Sequence, residues 1–262
     1  MPFTISHAAA VLPLQRITRS RIPLAALMIG SMSPDFSYFL PFDLGRTSTH
    51  DFDGMFMFCW PVGLVLWLLF VKLLERPTVE LLPAAWRERI PRSLPVTPRA
   101  LLLASLGILI GAMTHIAWDS FTHANTQINN LFPVLDTELF EFHGHPIRVY
   151  FVLQYASSVA GLLALAYWGY NLRHGPPPTR PARYQLGFLT DRARLGAALA
   201  LIGTSAAVGL ISFVATAGSS LQTRIFHTLV NAMIAWLLAW CLVAVMINQA
   251  AQRAPSNTRT RR

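Results

Sequence analysis

Gly54–Leu74 reads GMFMFCWPVGLVLWLLFVKLL and carries one charge, Lys72, near its end. A helix that crosses a bilayer needs about 20 mostly apolar residues, and this stretch supplies them. Leu101–Trp118, Val149–Leu172, Leu195–Ala217 and Thr228–Ile247 have the same character and contain no Asp, Glu, Lys or Arg. Buried helices of a soluble protein would need amphipathic partners and a charged shell. Only 13% of this chain is charged and 53% is hydrophobic, against about 25% charged in an ordinary soluble domain. The pattern predicts an all-α, polytopic transmembrane helical bundle in one integral membrane domain, with spans at 54–74, 99–118, 149–172, 194–217 and 228–247.

The first 42 residues are expected to differ. His7–Arg16 and Ile22–Ser33 are short apolar stretches joined by a turn that bears Arg16, Arg19 and Arg21. Two short helices folded into a hairpin would bring His7 and Asp35 together and leave the arginines at the far end. Each arm is about 18–20 Å long at about 1.5 Å per residue, too short to cross a full bilayer upright. The N-terminus has no basic region before its apolar stretch, so a removable signal peptide is not expected. Cys59 and Cys241 lie within apolar segments and predict neither a disulfide nor a cysteine metal site.

With the hairpin in place, 18 of the 21 basic residues fall on one side, including those of 76–99, 173–194 and the basic tail at 248–262. Eight of the 12 acids and seven of the eight histidines fall on the other; only His174 does not. The positive-inside rule makes the basic side and the C-terminus cytoplasmic. The net charge of +9 is then a topology signal and an attraction to anionic lipid, not a nucleic-acid footprint. The localisation expected is a bacterial inner membrane, with the histidines on the extracytoplasmic face.

His115-Ile-Ala-Trp-Asp119-Ser-Phe-Thr-His123 is the sharpest local pattern. Spacings of four and eight align the three polar side chains on one helical stripe, where an apolar helix leaves the membrane. Imidazoles and a carboxylate on one face suit zinc or another first-row divalent cation. The hairpin adds His7 and Asp35, the latter behind helix-breaking Pro34. His50 adds a third imidazole, with Asp51 as the residue expected to orient its ring. His143 and His145 flank Gly144 and serve equally well as chelators or loop residues. Ionisable groups at membrane depth are costly and point to function. Gly107-x-x-x-Gly111 predicts a close helix approach, and Gln154, Ser157 and Ser158 are placed to bond between helices or line a pocket.

Several of these stretches carry a resemblance: Met1-Pro-Phe-Thr-Ile-Ser-His7-Ala-Ala-Ala-Val-Leu-Pro-Leu14, Gly30-Ser-Met-Ser-Pro-Asp35-Phe-Ser-Tyr-Phe-Leu40, Thr49-His50, His115–His123 and Leu153-Gln-Tyr-Ala-Ser-Ser158. They resemble a bacterial membrane family designated domain of unknown function 4184, which implies a membrane protein but no reaction. A more distant similarity is to membrane-bound metal-dependent hydrolases and zinc-dependent phospholipase C. The ligand order of those proteins reads here as His7, Asp35, His50, His115 with Asp119, then His123. Where the phospholipase group has a later His-x-x-x-Glu, this chain has His143 with Ile147. The resemblance implies a hydrolase in which a bound divalent ion, zinc first, lowers the pKa of water to near neutrality for attack on an ester or phosphoester. A lipid or lipid-linked phosphate is the substrate class expected from a site at headgroup level. The alternative is a non-enzymatic membrane protein: a metal-binding or transport component, or a scaffold.

Overall fold

The computed structural model of the chain describes residues 4–18, 21–40, 45, 48–90, 93, 95–142, 144–175 and 186–253. Arg19, Asp43, Arg46, His143, the prolines at 176–178 and the tail beyond Arg253 lie outside the described residues. The protein is all-α apart from one small ribbon. Five helices are long and apolar enough to cross a membrane: Phe52–Leu81, Pro98–Thr122, Val149–Leu172, Asp191–Ala215 and Leu221–Arg253. The first and last run well past the apolar stretches at 54–74 and 228–247, because their polar ends continue the helix.

The N-terminal hairpin is present as short pieces. A 3-10 turn at Thr4–Ala9 precedes the helix Leu12–Ile17, and the helix Leu24–Met32 passes into a second 3-10 turn at Ser33–Phe39. Pro34 causes that change. It has no N–H and its ring crowds the carbonyl four residues back, so the Gly30 carbonyl accepts from Ser33 Oγ instead (2.7 Å). Proline also marks the first span. π-helical turns at Met55–Cys59 and Phe70–Leu74 precede Pro61 and Pro77, widening the helix where a backbone donor is missing.

The contacts group the chain into two compact units: Met1–Leu68 with Ser93–Leu172, and Leu69–Arg92 with Arg173–Arg262. In the first, Leu24–Met32 packs on Pro98–Thr122 and Thr4–Ala9 packs on Val149–Leu172. Glycines set the closeness of the first pair. A Cβ on Gly111 would meet the Leu27 carbonyl and lie 2.5 Å from Ser31 N, and one on Gly30 would meet the backbone of Ile108. The helices therefore touch backbone to backbone, as the Gly107–Gly111 spacing predicts. Between Thr122 and Val149, where the acidic loop is expected, lie a short helix at Gln127–Leu131 and an antiparallel ribbon of Glu138–Phe142 with His145–Arg148.

The second unit packs Leu74, Leu201, Trp240 and Ala244 as its buried core. The Leu73 carbonyl, which Pro77 cannot serve, accepts from Asn248 Nδ2 (2.9 Å). Glu80 is fully buried and accepts from Gly187 N (2.7 Å), Leu189 N (3.1 Å) and Arg194 Nη2 (3.1 Å), while Arg194 Nε donates to its carbonyl (3.0 Å). Part of the basic charge on 76–99 and 173–194 is thus structural.

Candidate metal centre

Five residues far apart in sequence converge in the first unit. His7 comes from the first 3-10 turn, Asp35 from the second, His50 from the residues just before the Phe52–Leu81 helix, and His115 and Asp119 from successive turns of Pro98–Thr122. All five are buried at their side chains. Asp119 is the hub. Its Oδ1 lies 3.5 Å from His7 Nε2, and its Oδ2 lies 3.6 Å from His115 Nε2 and 3.7 Å from His50 Nε2. Asp35 Oδ1 faces the same space, 3.3 Å from His50 Nε2 and 3.7 Å from His115 Nε2. The rings of His7 and His115 stack at 3.8 Å between centroids.

Most of these separations are too long for good hydrogen bonds. They match another geometry. A tetrahedron with metal–ligand bonds of about 2.1 Å has edges of about 3.4 Å. Two triads satisfy the spacing that a single ion needs, His7–His115–Asp119 and Asp35–His50–His115. His115 belongs to both but offers one nitrogen, since Nδ1 lies 2.8 Å from the Ser31 carbonyl. A carbonyl only accepts, so Nδ1 carries the proton and Nε2 the lone pair. One lone pair serves one ion.

Nε2 faces the Asp35 and Asp119 carboxylates, an arrangement that a bound cation or a proton on the ring would make favourable. His7 Nε2, Asp35 Oδ1 and His115 Nε2 are buried and have no hydrogen-bond partner among the described residues. Buried polar atoms without such partners are rare. The donor set of three imidazoles and two carboxylates suits zinc or a neighbouring first-row divalent ion.

The support around the cluster is of the kind that orients ligands. Thr4 Oγ1 donates to Asp35 Oδ2 (2.7 Å), and Thr49 Oγ1 lies 2.9 Å from His50 Nδ1. Asp51, expected to hold the His50 ring, is instead exposed and caps the Phe52–Gly54 turn by accepting from Gly54 N (2.6 Å). Helix capping wins because an aspartate just before a helix start reaches the free backbone N–H groups first. His123 approaches the cluster without joining either triad. Its Nδ1 is 3.1 Å from the Asp119 backbone oxygen and 3.5 Å from Asp119 Oδ2, and its Nε2 is 3.3 Å from Gln154 Nε2. His145 sits exposed on the ribbon, away from both triads. Thr4, Ser31 and Thr49 lie in the stretches that carry the resemblance, but nothing in the sequence marks them as partners of Asp35, His115 and His50, since Ser and Thr are common and Ser31 acts through its backbone.

Burial and the neighbouring His115 lower the His7 imidazole to about 4, against the pull of Asp119 and Asp35. His7 is therefore neutral at physiological pH, the state in which an imidazole can ligate a metal. Burial works to raise the Asp35 carboxyl, but His50, His115 and Thr4 outweigh it and hold it below the usual carboxylate range. It stays an anion.

The model of the family described as Domain of unknown function (DUF4184) matches residues 1–250, and the chain belongs to that family. No curated protein and no solved structure matches it. These comparisons show no similarity to metal-dependent hydrolases.

Proposed function

We propose that this member of the family is a membrane metalloprotein that holds a divalent ion, zinc by its donor set, among His7, Asp35, His50, His115 and Asp119. We propose further that it hydrolyses an ester or phosphoester of a lipid or lipid-linked phosphate at the outer face of a bacterial inner membrane, with its C-terminus cytoplasmic. The observation that carries the reading is the convergence of the buried His7 Nε2, Asp35 Oδ1 and His115 Nε2, which have no hydrogen-bond partner among the described residues, in two triads with the spacing of metal ligands. Bound there, the ion would supply Lewis-acid activation of water and of the scissile group.

The chain's own residues do the rest. Asp119 and Asp35 neutralise the ion, and Ser31 and Thr49 keep the His115 and His50 rings turned toward it. His123 is the most accessible of the six predicted ligands, its side chain 14% exposed. With Nδ1–H donating to the Asp119 backbone oxygen, its Nε2 is the acceptor and can take a proton at the site mouth. Gln154, beside that nitrogen, holds the ring in place.

A second reading is favoured by the tightness of the cluster. Five donors enclosing one ion leave little room for a substrate, so the ion would instead be a structural clamp on the hairpin. One set of assays tests both. Protein reconstituted in vesicles is equilibrated with zinc, dialysed and analysed for metal beside His115→Ala, then assayed for release of phosphate or alcohol from lipid phosphoesters and esters. The proposal expects bound zinc in the wild type, its loss in the variant, and hydrolysis that tracks the metal. Retained zinc without hydrolysis supports the clamp; no zinc in the wild type ends both readings. Reporter fusions at Asn130, Pro177 and the C-terminus are expected to read outside, inside, inside.

A further inference from the structure

Between Thr122 and Val149 the chain exposes apolar side chains that a loop in water would bury or avoid. Leu131, Val134 and Phe140 are 71%, 62% and 55% exposed. The exposure is organised. In the ribbon, Phe140 pairs with Ile147 and Phe142 with His145, which places Phe140, Phe142 and Ile147 on one face, with His145 beside them at the turn end. Glu141, paired with Pro146, points from the other. The charged residues Asp136, Glu138 and Arg148 gather at the base, where Arg148 Nη1 lies 3.5 Å from Asp136 Oδ1.

The base is fixed to a span. Val149 N donates to the Thr137 carbonyl (3.1 Å), so the ribbon springs directly from the first turn of Val149–Leu172. A five-residue strand reaches about 17 Å, so the ribbon stays within that distance of the first turn of the span. Its apolar surface also continues that of the spans. The rings of Trp118 and Phe121 lie 6.4 Å apart, and those of Phe121 and Phe132 are also 6.4 Å apart, carrying an aromatic row off the end of Pro98–Thr122 onto the loop. Aromatic rings at the end of a span favour the headgroup layer.

We infer that residues 127–142 and 144–148 form an interfacial element that lies in the lipid headgroup layer, with Phe140, Phe142 and Ile147 turned to the acyl chains and Glu141 to water. The occupant of this face is the bilayer to which both ends of the segment are tied. The inference is independent of the metal and of hydrolysis.

Single spin labels test it on the full chain in phosphatidylcholine vesicles. Cys241→Ser removes the partly accessible thiol, while the fully buried Cys59 stays. Labels are placed through Phe140→Cys and Glu141→Cys, with Leu131→Cys as a second lipid-side position. Collision with oxygen, which concentrates in acyl chains, is compared with collision with a water-soluble nickel chelate. Oxygen is expected to dominate at 140 and 131, and nickel at 141. Nickel dominance at all three positions would place the segment in water and overturn the inference. Protection from both reagents at 140, with spin–spin broadening between labelled copies, would give the face to a second copy of the chain and overturn it equally.

Discussion

Replacing Gly111 by alanine isolates the helix approach that the metal centre depends on. Inside a helix, alanine is favoured over glycine by up to about 1 kcal/mol, so the Pro98–Thr122 helix itself should strengthen. The added Cβ, however, has nowhere to go. It meets the Leu27 carbonyl and lies 2.5 Å from Ser31 N, both backbone, and backbone cannot step aside as a flexible side chain can. Overpacking of this kind costs about 1–3 kcal/mol. Separating the helices also stretches the 2.8 Å bond from His115 Nδ1 to the Ser31 carbonyl, a further loss of about 1 kcal/mol. Loss of such a ring-orienting bond lowers metal affinity by about 10–100-fold. The control is Gly203→Ala, in the helix Asp191–Ala215, where nothing lies within 4 Å of the new Cβ; it should be neutral or stabilising. Thermal unfolding in detergent and competitive zinc titration measure the two effects. A Gly111→Ala protein with wild-type zinc affinity and an unchanged midpoint would refute the reasoning.

Three further outcomes follow from the same contacts. Thr4→Val removes the hydroxyl that donates to Asp35 Oδ2 at 2.7 Å and is expected to weaken zinc binding by about 10-fold or more while the helical circular dichroism stays unchanged. Glu80→Ala removes the carboxylate on which Gly187 N, Leu189 N and Arg194 Nη2 converge and should cost about 1–3 kcal/mol, read as a lowered unfolding midpoint with zinc content retained. The metal-free protein should lose stability as pH falls from 6.5 toward about 4. His7 has a folded pKa of about 4 against 6.5 unfolded, so in that window the unfolded chain binds the extra proton. His7→Gln should flatten that part of the pH profile of the unfolding midpoint.

Much of this architecture was legible in the sequence because membranes impose a coarse code. Uncharged runs longer than 17 residues name the spans, and the short apolar arms either side of Arg16 and Arg21 predict a hairpin that returns His7 to Asp35. The i, i+4 spacing of His115 and Asp119 placed both on one helical stripe. Residues that act only through tertiary contacts were not legible. Ser31 contributes a carbonyl that matters because Gly111 lets the His115 helix come close, and Thr49 rather than Asp51 meets the His50 ring because Asp51 is drawn to the helix start. Glu80 is an acid within the basic stretch 76–99, and nothing local shows that Gly187, Leu189 and Arg194 close around it. The 138–148 ribbon was hidden by its shortness and by Pro146, which argues against a strand.

X-ray absorption at the zinc edge of the metal-loaded protein tests the central claim most directly. The account predicts imidazole scattering from three histidines and oxygen neighbours at about 2.0–2.2 Å, with the bound-zinc signal lost in His115→Ala. A spectrum without imidazole scattering, or one unchanged by that substitution, would contradict it.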